Sequence, residues 1–220
     1  GEPMLEWVIS ACKSAGIGDI CVVKGFKGEM IDEYLGGRCK TVLQAERLGT
    51  GHAVMQAVPF LEEDTDGNTL VLCGDAPFVD KQTIEESLVL HRQNGNSVTV
   101  ITAELEDPFG YGRVIRSGSG ISGIVEQKDA TEEQRAIREV NSGCYCFKTA
   151  DLIELLSGLT NDNAQHEYYL TDTVGIAVAS GKNAGAYKSS NPDMIKGAND
   201  RKDLLELNTY ARMAVINKLM

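Results

Sequence analysis

The run Leu70-Val71-Leu72-Cys73, closed by Gly74-Asp75-Ala76-Pro77, constrains this chain more than any other stretch. Four consecutive apolar residues bounded by turn formers predict a strand buried on both faces of a parallel sheet. Gly74 lets the backbone turn sharply or lets a ligand approach closely. Asp75 then falls just past the strand's carboxyl end, where open α/β sheets bind their ligands. A carboxylate there either caps the following turn or holds a divalent cation over phosphates, since a hard cation takes oxygen ligands.

The flanking patterns extend that sheet. Met4, Leu5, Val8, Ile9 and Cys12 recur at helical spacing just after Pro3, which suits a helix entry. Ile20-Cys21-Val22-Val23 reads as a short strand, Gly28 to Tyr34 as a helix and Lys40 to Leu43 as a strand. Helix, strand, helix, strand is the rhythm of a doubly wound sheet whose first strand is missing. Gly49 and Gly51 frame Thr50 immediately before a helix N-terminus, a ready site for an anion or a backbone contact. His52 in that helix start reads as a structural or capping histidine rather than a base. Lys81 to Asn94 is an amphipathic helix and Ser97 to Ala103 a strand.

From Pro108 the texture changes. Phe109 to Arg116 and Ile121 to Gln127 form a hairpin-like pair around a Gly-Ser-Gly turn. A charged helical segment (Ala130 to Arg138) and the strand Cys144 to Phe147 follow, so a β-insert interrupts the α/β alternation. Helices over Thr149 to Leu156 and through Ala179, a strand at Ala184 to Tyr187, a loop over 191–199 and a helix from Asp200 to Met220 complete the chain. The expected division is a body over 1–199 and a C-terminal helical arm over 200–220.

The chain has 220 residues and a net charge of -11, which argues against a nucleic-acid duplex or an anionic membrane as partner. A nucleotide remains compatible, provided a metal ion and a few donors neutralise its phosphates. Six cysteines are scattered, mostly within apolar runs, the pattern of reduced, buried thiols in a cytosolic protein. Cys144 and Cys146 share a strand face, but no second Cys or His pair stands with them at zinc spacing. No window is apolar for long enough to span a bilayer, and the opening residues do not read as a signal peptide.

Seven motifs now stand in order: Leu43 to Ala53 (Leu-Gln-Ala-Glu-Arg-Leu-Gly-Thr-Gly-His-Ala), Gly74 to Pro77, Gly110 to Arg113 (Gly-Tyr-Gly-Arg), Val125 to Ala130 (Val-Glu-Gln-Lys-Asp-Ala), Asn141-Ser142-Gly143, Glu167 to Asp172 (Glu-Tyr-Tyr-Leu-Thr-Asp) and Gly197 to Arg201. In this order and spacing, over essentially the whole chain, the sequence closely resembles the uridyltransferase domain of bacterial N-acetylglucosamine-1-phosphate uridyltransferases. The resemblance implies a Rossmann-like α/β nucleotidyltransferase fold, with a mostly parallel sheet, helices on both faces and a sugar-side β-insert. It implies Mg²⁺-dependent reaction of UTP with N-acetylglucosamine 1-phosphate, giving UDP-N-acetylglucosamine, a cell-wall precursor, and pyrophosphate. Related thymidylyl or guanylyl transferases are the neighbouring alternative within the class, and a nucleotide-sugar-binding chain without turnover is the alternative outside it.

Carried over position by position, Gln44, Gly49 and Thr50 would hold the uracil, since a Gln amide offers donor and acceptor to a base edge. Asp75 and Asn199 would hold Mg²⁺ against the phosphates and so carry the catalytic roles. Gly112, Glu126, Asn141, Tyr169 and Thr171 would line the sugar pocket. The sugar-phosphate oxygen would attack the α-phosphorus in line, catalysed by positioning and charge neutralisation. The family also places a first strand and a glycine-rich loop bearing an arginine and a lysine ahead of a segment like Gly1-Glu2-Pro3-Met4. This sequence does not contain them, which leads to the expectation of an open sheet edge and leaves the leaving-group cations unassigned. No hexapeptide repeats follow the last helix, so no acetyl transfer is expected. That helix is expected to project or to pack on a second copy.

Overall fold

The computed structural model describes residues 2–118, 120–198 and 201–219, with side chains of the last helix as far as Met213. Helix α1 (Met4–Ser14) starts directly after Pro3 and buries Val8, Ile9 and Cys12 along one face. Strands β1 (Cys21–Lys24) and β2 (Lys40–Leu43) pair in parallel across helix α2 (Gly28–Leu35). Two short helices, α3 (Thr50–Met55) and α4 (Val58–Leu61), lead to strand β3 (Asn68–Val71). Helix α5 (Lys81–Gln93) starts at Asp80, whose carboxylate accepts from the Thr83 amide at 2.7 Å, a side-chain N-cap.

The remaining strands form the larger sheet. They are β4 (Val98–Glu104), β5 (Arg113–Ser117), β6 (Gly120–Val125), β7 (Glu139–Lys148) and β8 (Ala184–Lys188). Helices α6 (Glu132–Arg135), α7 (Thr149–Ser157) and α8 (Asp172–Ala179) connect or cover them, and a 3₁₀ turn (Pro192–Ile195) precedes α9 (Arg201–Leu219). Strand order is β6-β5-β7-β4-β8, with β3 also paired to β7. The sheet is mixed: β8 runs parallel to β4, whereas β3, β4 and β5 run antiparallel to β7. Its centre is the β-branched strand β4, in which Val98 to Ala103 are all buried, as residues suited to a pleated, covered surface should be.

The strand at Leu70 departs from the sequence reading. It spans Asn68–Val71, pairs antiparallel with β7 rather than lying in a parallel sheet, and Leu70 to Cys73 are only half-buried. The reason is visible at its other edge, which carries no strand among the described residues. The same holds for the far side of β1. The two sheets are joined through helices instead. Val8 and Cys12 of α1 pack with Leu70 and Leu72, while Ile9 packs with Val22 and Leu35, and Ile20 touches both clusters. On the opposite face Leu61 of α4 shares a core with Val71, and the Lys40 ammonium pairs with Glu63 and lies 5.2 Å from the Phe60 ring centroid.

Candidate active site

The segment Gln44 to Gly51 leaves the carboxyl end of β2, the edge where ligands of open α/β sheets sit. Gln44 Nε2 donates to Gly49 O at 3.0 Å and lies 3.1 Å from His52 Nδ1, so the amide nitrogen is held. The other ring nitrogen of His52, expected from the sequence to be structural or capping, lies 3.2 Å from the Gln56 side-chain amide. Gly49 is required twice over. Its φ is +103°, and a Cβ there would stand 2.7 Å from Tyr168 O, closer than real contacts allow. Gly51 donates to Tyr168 O at 2.7 Å, Tyr168 donates to Leu48 O at 2.7 Å, and Leu170 donates to Thr50 Oγ1 at 3.1 Å. Three hydrogen bonds therefore tie the 44–51 loop to the strap 167–171.

That strap carries two of the expected sugar-side residues, Tyr169 and Thr171. Thr171 Oγ1 donates to Glu126 Oε1 at 3.0 Å. Burial pushes the Glu126 carboxyl above its usual range, opposed by the Thr171 hydrogen bond and reinforced by Asp172 and Asp129. Gly112 O accepts from the Asn141 amide at 2.9 Å. A Cβ on Gly112 would stand 2.9 Å from Ile124 Cγ2 and 3.3 Å from Glu126 Oε1, so the space beside this glycine is filled by protein. Tyr169 is buried and its hydroxyl has no partner in bonding geometry among the described residues; Gln165 is its polar neighbour. The structure thus brings Gly112, Glu126, Asn141 and Thr171 into one linked set, tied through the strap to Gln44, Gly49 and Thr50. A cavity of about 320 Å³ opens beside Gly123, Thr160, Thr171, Asp172 and Gly175. Thr171 alone of the expected residues lines it.

Asp75 lies exposed in the turn after β3. Gly197 is pressed against it: a Cβ at 197 would be 3.2 Å from Asp75 O and 3.8 Å from Asp75 Cγ. Asn199, its expected partner, lies outside the described residues. No cluster of three or more metal-ligating His, Cys, Asp or Glu side chains occurs among the described residues. The exposed Asp75 carboxylate is the kind of hard oxygen donor that Mg²⁺ takes, and it leaves most positions to water and phosphate.

Two contributors stood within the sequence motifs with no structural role assigned to them. Arg113, 1 % exposed, donates through Nη2 to Gln127 Oε1 at 2.7 Å and through Nη1 to Tyr111 O. Gly110 donates to the same Gln127 oxygen at 3.2 Å, so the buried guanidinium fastens the 110–113 turn to the loop carrying Glu126. The signal was a charged residue heading the apolar strand Arg113-Val114-Ile115. The second is a β-bulge at Asn141-Ser142-Gly143, where the β4–β7 register shifts. Ser142 Oγ donates to Ile101 O at 2.6 Å and accepts from the Cys144 amide at 3.2 Å, and Gly143 takes φ +79°. The bulge re-aims the backbone at Asn141, a common use of such features beside sites.

A mixed α/β sheet with helices on its faces, a glycine-bearing loop at the carboxyl end of β2 and an exposed aspartate in the turn after β3 are the setting for the family match. The nucleotidyl transferase family model matches residues 1–192, and the chain belongs to that family. Two curated relatives, the bifunctional GlmU proteins of Acetivibrio thermocellus and Pelotomaculum thermopropionicum, are 45% and 46% identical over 100% of this chain. The chain spans 48% of the length of each. Among solved structures, a chain described as a glucose-1-phosphate thymidylyltransferase from Bacillus anthracis superposes with a TM-score of 0.77 at 18% identity, covering 96% of this chain and 82% of its own. A UDP-glucose pyrophosphorylase complexed with UDP-glucose gives 0.73 at 17%, covering 96% and 88%. At those identities the likeness establishes the fold, the nucleotide-sugar transferase α/β fold.

Proposed function

We propose that this chain transfers a uridylyl group from UTP to N-acetylglucosamine 1-phosphate, giving UDP-N-acetylglucosamine, a cell-wall precursor, and pyrophosphate. The observation that carries the reading is the bonded strap: the loop assigned to the base and the residues assigned to the sugar are parts of one hydrogen-bonded unit. Gln44 Oε1 accepts from the uracil edge while its amide nitrogen stays fixed on Gly49 O. Gly49 and Thr50 supply backbone and hydroxyl contacts to the base. Glu126 and Asn141 orient the amino sugar, and Thr171 holds the Glu126 carboxylate in place. The buried Tyr169 hydroxyl is the further donor on that side. These contacts hold the sugar phosphate in line with the α-phosphorus, and catalysis is chiefly positioning and charge stabilisation.

Asp75, with Asn199, is the assigned Mg²⁺ site. The metal, when bound, neutralises charge on the phosphates. The six free thiols suit a reducing, cytoplasmic compartment. Among the described residues no helix is long and apolar enough to cross a membrane. The partners in this reading are small molecules, with self-association as the one macromolecular contact.

The test is titration calorimetry with UDP-N-acetylglucosamine and Mg²⁺, followed by pyrophosphate release from UTP and N-acetylglucosamine 1-phosphate. Binding with turnover, preferring UTP over dTTP and GTP, supports the reading. Preference for dTTP moves it to a thymidylyl enzyme, and binding without turnover makes the chain a nucleotide-sugar binder. No binding removes it.

A further inference from the structure

We propose that Arg113 is a positioning residue of the sugar pocket, holding Glu126 in register with Gly112 and Asn141 by gripping the chain on either side of the pocket. That the ligand is an amino-sugar phosphate rests on the proposed function; the hold on Glu126 does not. Arg113 heads β5, the strand between β6 and β7, and its register partners are Val125 on one side and Val140 on the other. Both pairings are antiparallel, so one residue further along stand Gly112, Glu126 and Asn141, abreast of one another. The contacts agree: the Asn141 amide donates to Gly112 O at 2.9 Å, and a Cβ on Gly112 would be 3.3 Å from Glu126 Oε1. Three of the assigned sugar-side residues thus share one rung, next to the rung of Arg113. The Arg113 side chain reaches past them. Nη1 donates to Tyr111 O, and Nη2 donates to Gln127 Oε1 at 2.7 Å and to Arg135 O at 3.4 Å. Tyr111 and Gln127 are the residues just beyond Gly112 and Glu126, and Gly110 donates to the same Gln127 oxygen at 3.2 Å.

Packing alone does not explain an arginine here. The residue is 1 % exposed, its acceptors are neutral oxygens, and Nε has no hydrogen-bond partner among the described residues. Burying a charge without a paired carboxylate is costly, and an apolar side chain of similar volume would fill the place more stably. What the guanidinium adds is a planar fork with donors at fixed angles. With one branch on Tyr111 O and the other on Gln127 Oε1, Glu126 cannot swing away from Gly112 while both bonds hold. Thr171 Oγ1 fixes the Glu126 carboxylate oxygen; Arg113, through Gln127, fixes the chain that carries it.

The full chain is prepared as Arg113→Lys, Gln127→Leu and Glu126→Gln, and with each of the first two combined with the third. Lysine keeps the charge and loses the fork; leucine loses the acceptor. The KM for N-acetylglucosamine 1-phosphate should rise about tenfold in each single variant, while the KM for UTP stays within about twofold. Gln127→Glu, which keeps the acceptor, should behave as the unaltered chain does. Each double variant should lose no more than Glu126→Gln alone, because both changes remove the same placed carboxylate. Additive losses, about a hundredfold together, overturn the proposal, as does an equal rise in both KM values. A second readout needs no ligand. Carboxyl-labelled NMR follows the titration of Glu126, on which burial, Thr171, Asp172, Asp129 and Arg113 act. Arg113→Lys and Gln127→Leu should each move its midpoint down toward the ordinary carboxylate range as the released carboxyl gains water; an unmoved midpoint overturns the proposal. Where one of the two variants fails to fold, the other carries both measurements. A chain that never binds UDP-N-acetylglucosamine counts against the proposed function, and the titration still decides the hold on Glu126.

Discussion

Gln44 uses its amide nitrogen on Gly49 O and toward His52, so one acceptor oxygen is all it offers a ligand. Gln44→Ala removes that acceptor and frees the Gly49 carbonyl. Loss of such contacts costs about 1–3 kcal/mol, so the KM for UTP should rise roughly ten- to a hundredfold, with the sugar-phosphate KM moving much less; steady-state kinetics check this. Glu126 offers a different lesson. Burial raises its carboxyl above the usual range, so the folded chain holds that proton more tightly than the unfolded one. Stability from this group is therefore greatest at acid pH and declines as pH rises through the folded value. Glu126→Gln keeps an acceptor for Thr171 and removes the buried charge. Its Tm at pH 7 should rise while the KM for the sugar phosphate rises by about tenfold, a trade between stability and function read from melting curves and kinetics. Both residues were legible in the sequence as members of ordered motifs. The filled space beside Gly112 was not, because it depends on Ile124 approaching from the neighbouring strand.

The amphipathic elements were read closely because their signal is local: α5 over Lys81–Gln93, β2 over Lys40–Leu43 and α8 ending at Ala179 lie within a residue of expectation. What failed was partnership. β7 begins at Glu139, five residues before the apolar run Cys144 to Phe147, since its first half is specified by pairing with β4 and β5 across the sheet. The direction of β3 was lost for the same reason. Gly143 marks the consequence, a bulge whose φ of +79° and whose 2.6 Å approach to Cys73 leave no room for a side chain. Gly143→Ala should destabilise by about 1–3 kcal/mol. Adding Cys73→Ala should recover only the steric part, a coupling that a double-mutant cycle in urea would measure. Between α5 and β4, buried His91 holds Thr99 Oγ1 at 2.9 Å while Nε2 has no hydrogen-bond partner among the described residues, and desolvation lowers its pKa to about 4. The unfolded state binds the proton first, so stability is full above pH 6.5 and falls as pH drops toward 4. The loss should reach about 3 kcal/mol, and His91→Gln should flatten that dependence in pH-resolved denaturation.

At the scale of the molecule, the body is two sheets joined through helices, and α9 returns to that junction. Leu207 is buried, Tyr210 lies 4.6 Å from the Phe78 ring, Phe78 lies 6.1 Å from Trp7 of α1, and Lys196 sits 4.8 Å over Tyr210. The sequence reading of a projecting helix, or one docked on a second copy, missed this because contacts spaced along a weakly amphipathic helix leave little periodic trace. The contact also bears on the site. Gly197 is pressed against Asp75 and its neighbour Lys196 sits over Tyr210, so the aromatic chain Trp7-Phe78-Tyr210 helps to place Lys196 and Gly197. Tyr210→Ala removes one ring contact and the cation–π contact, each about 0.5–1.5 kcal/mol, between α9 and the body. Limited proteolysis should then release α9 roughly tenfold faster, since cleavage follows the population of the open form. Trp7, the single tryptophan, should report the loosening by its emission. Turnover should fall together with Mg²⁺ affinity if the 197–199 segment places the metal donors. Faster release of α9 with unchanged Mg²⁺ dependence would separate the helix from the site and leave Asp75 to act with donors elsewhere.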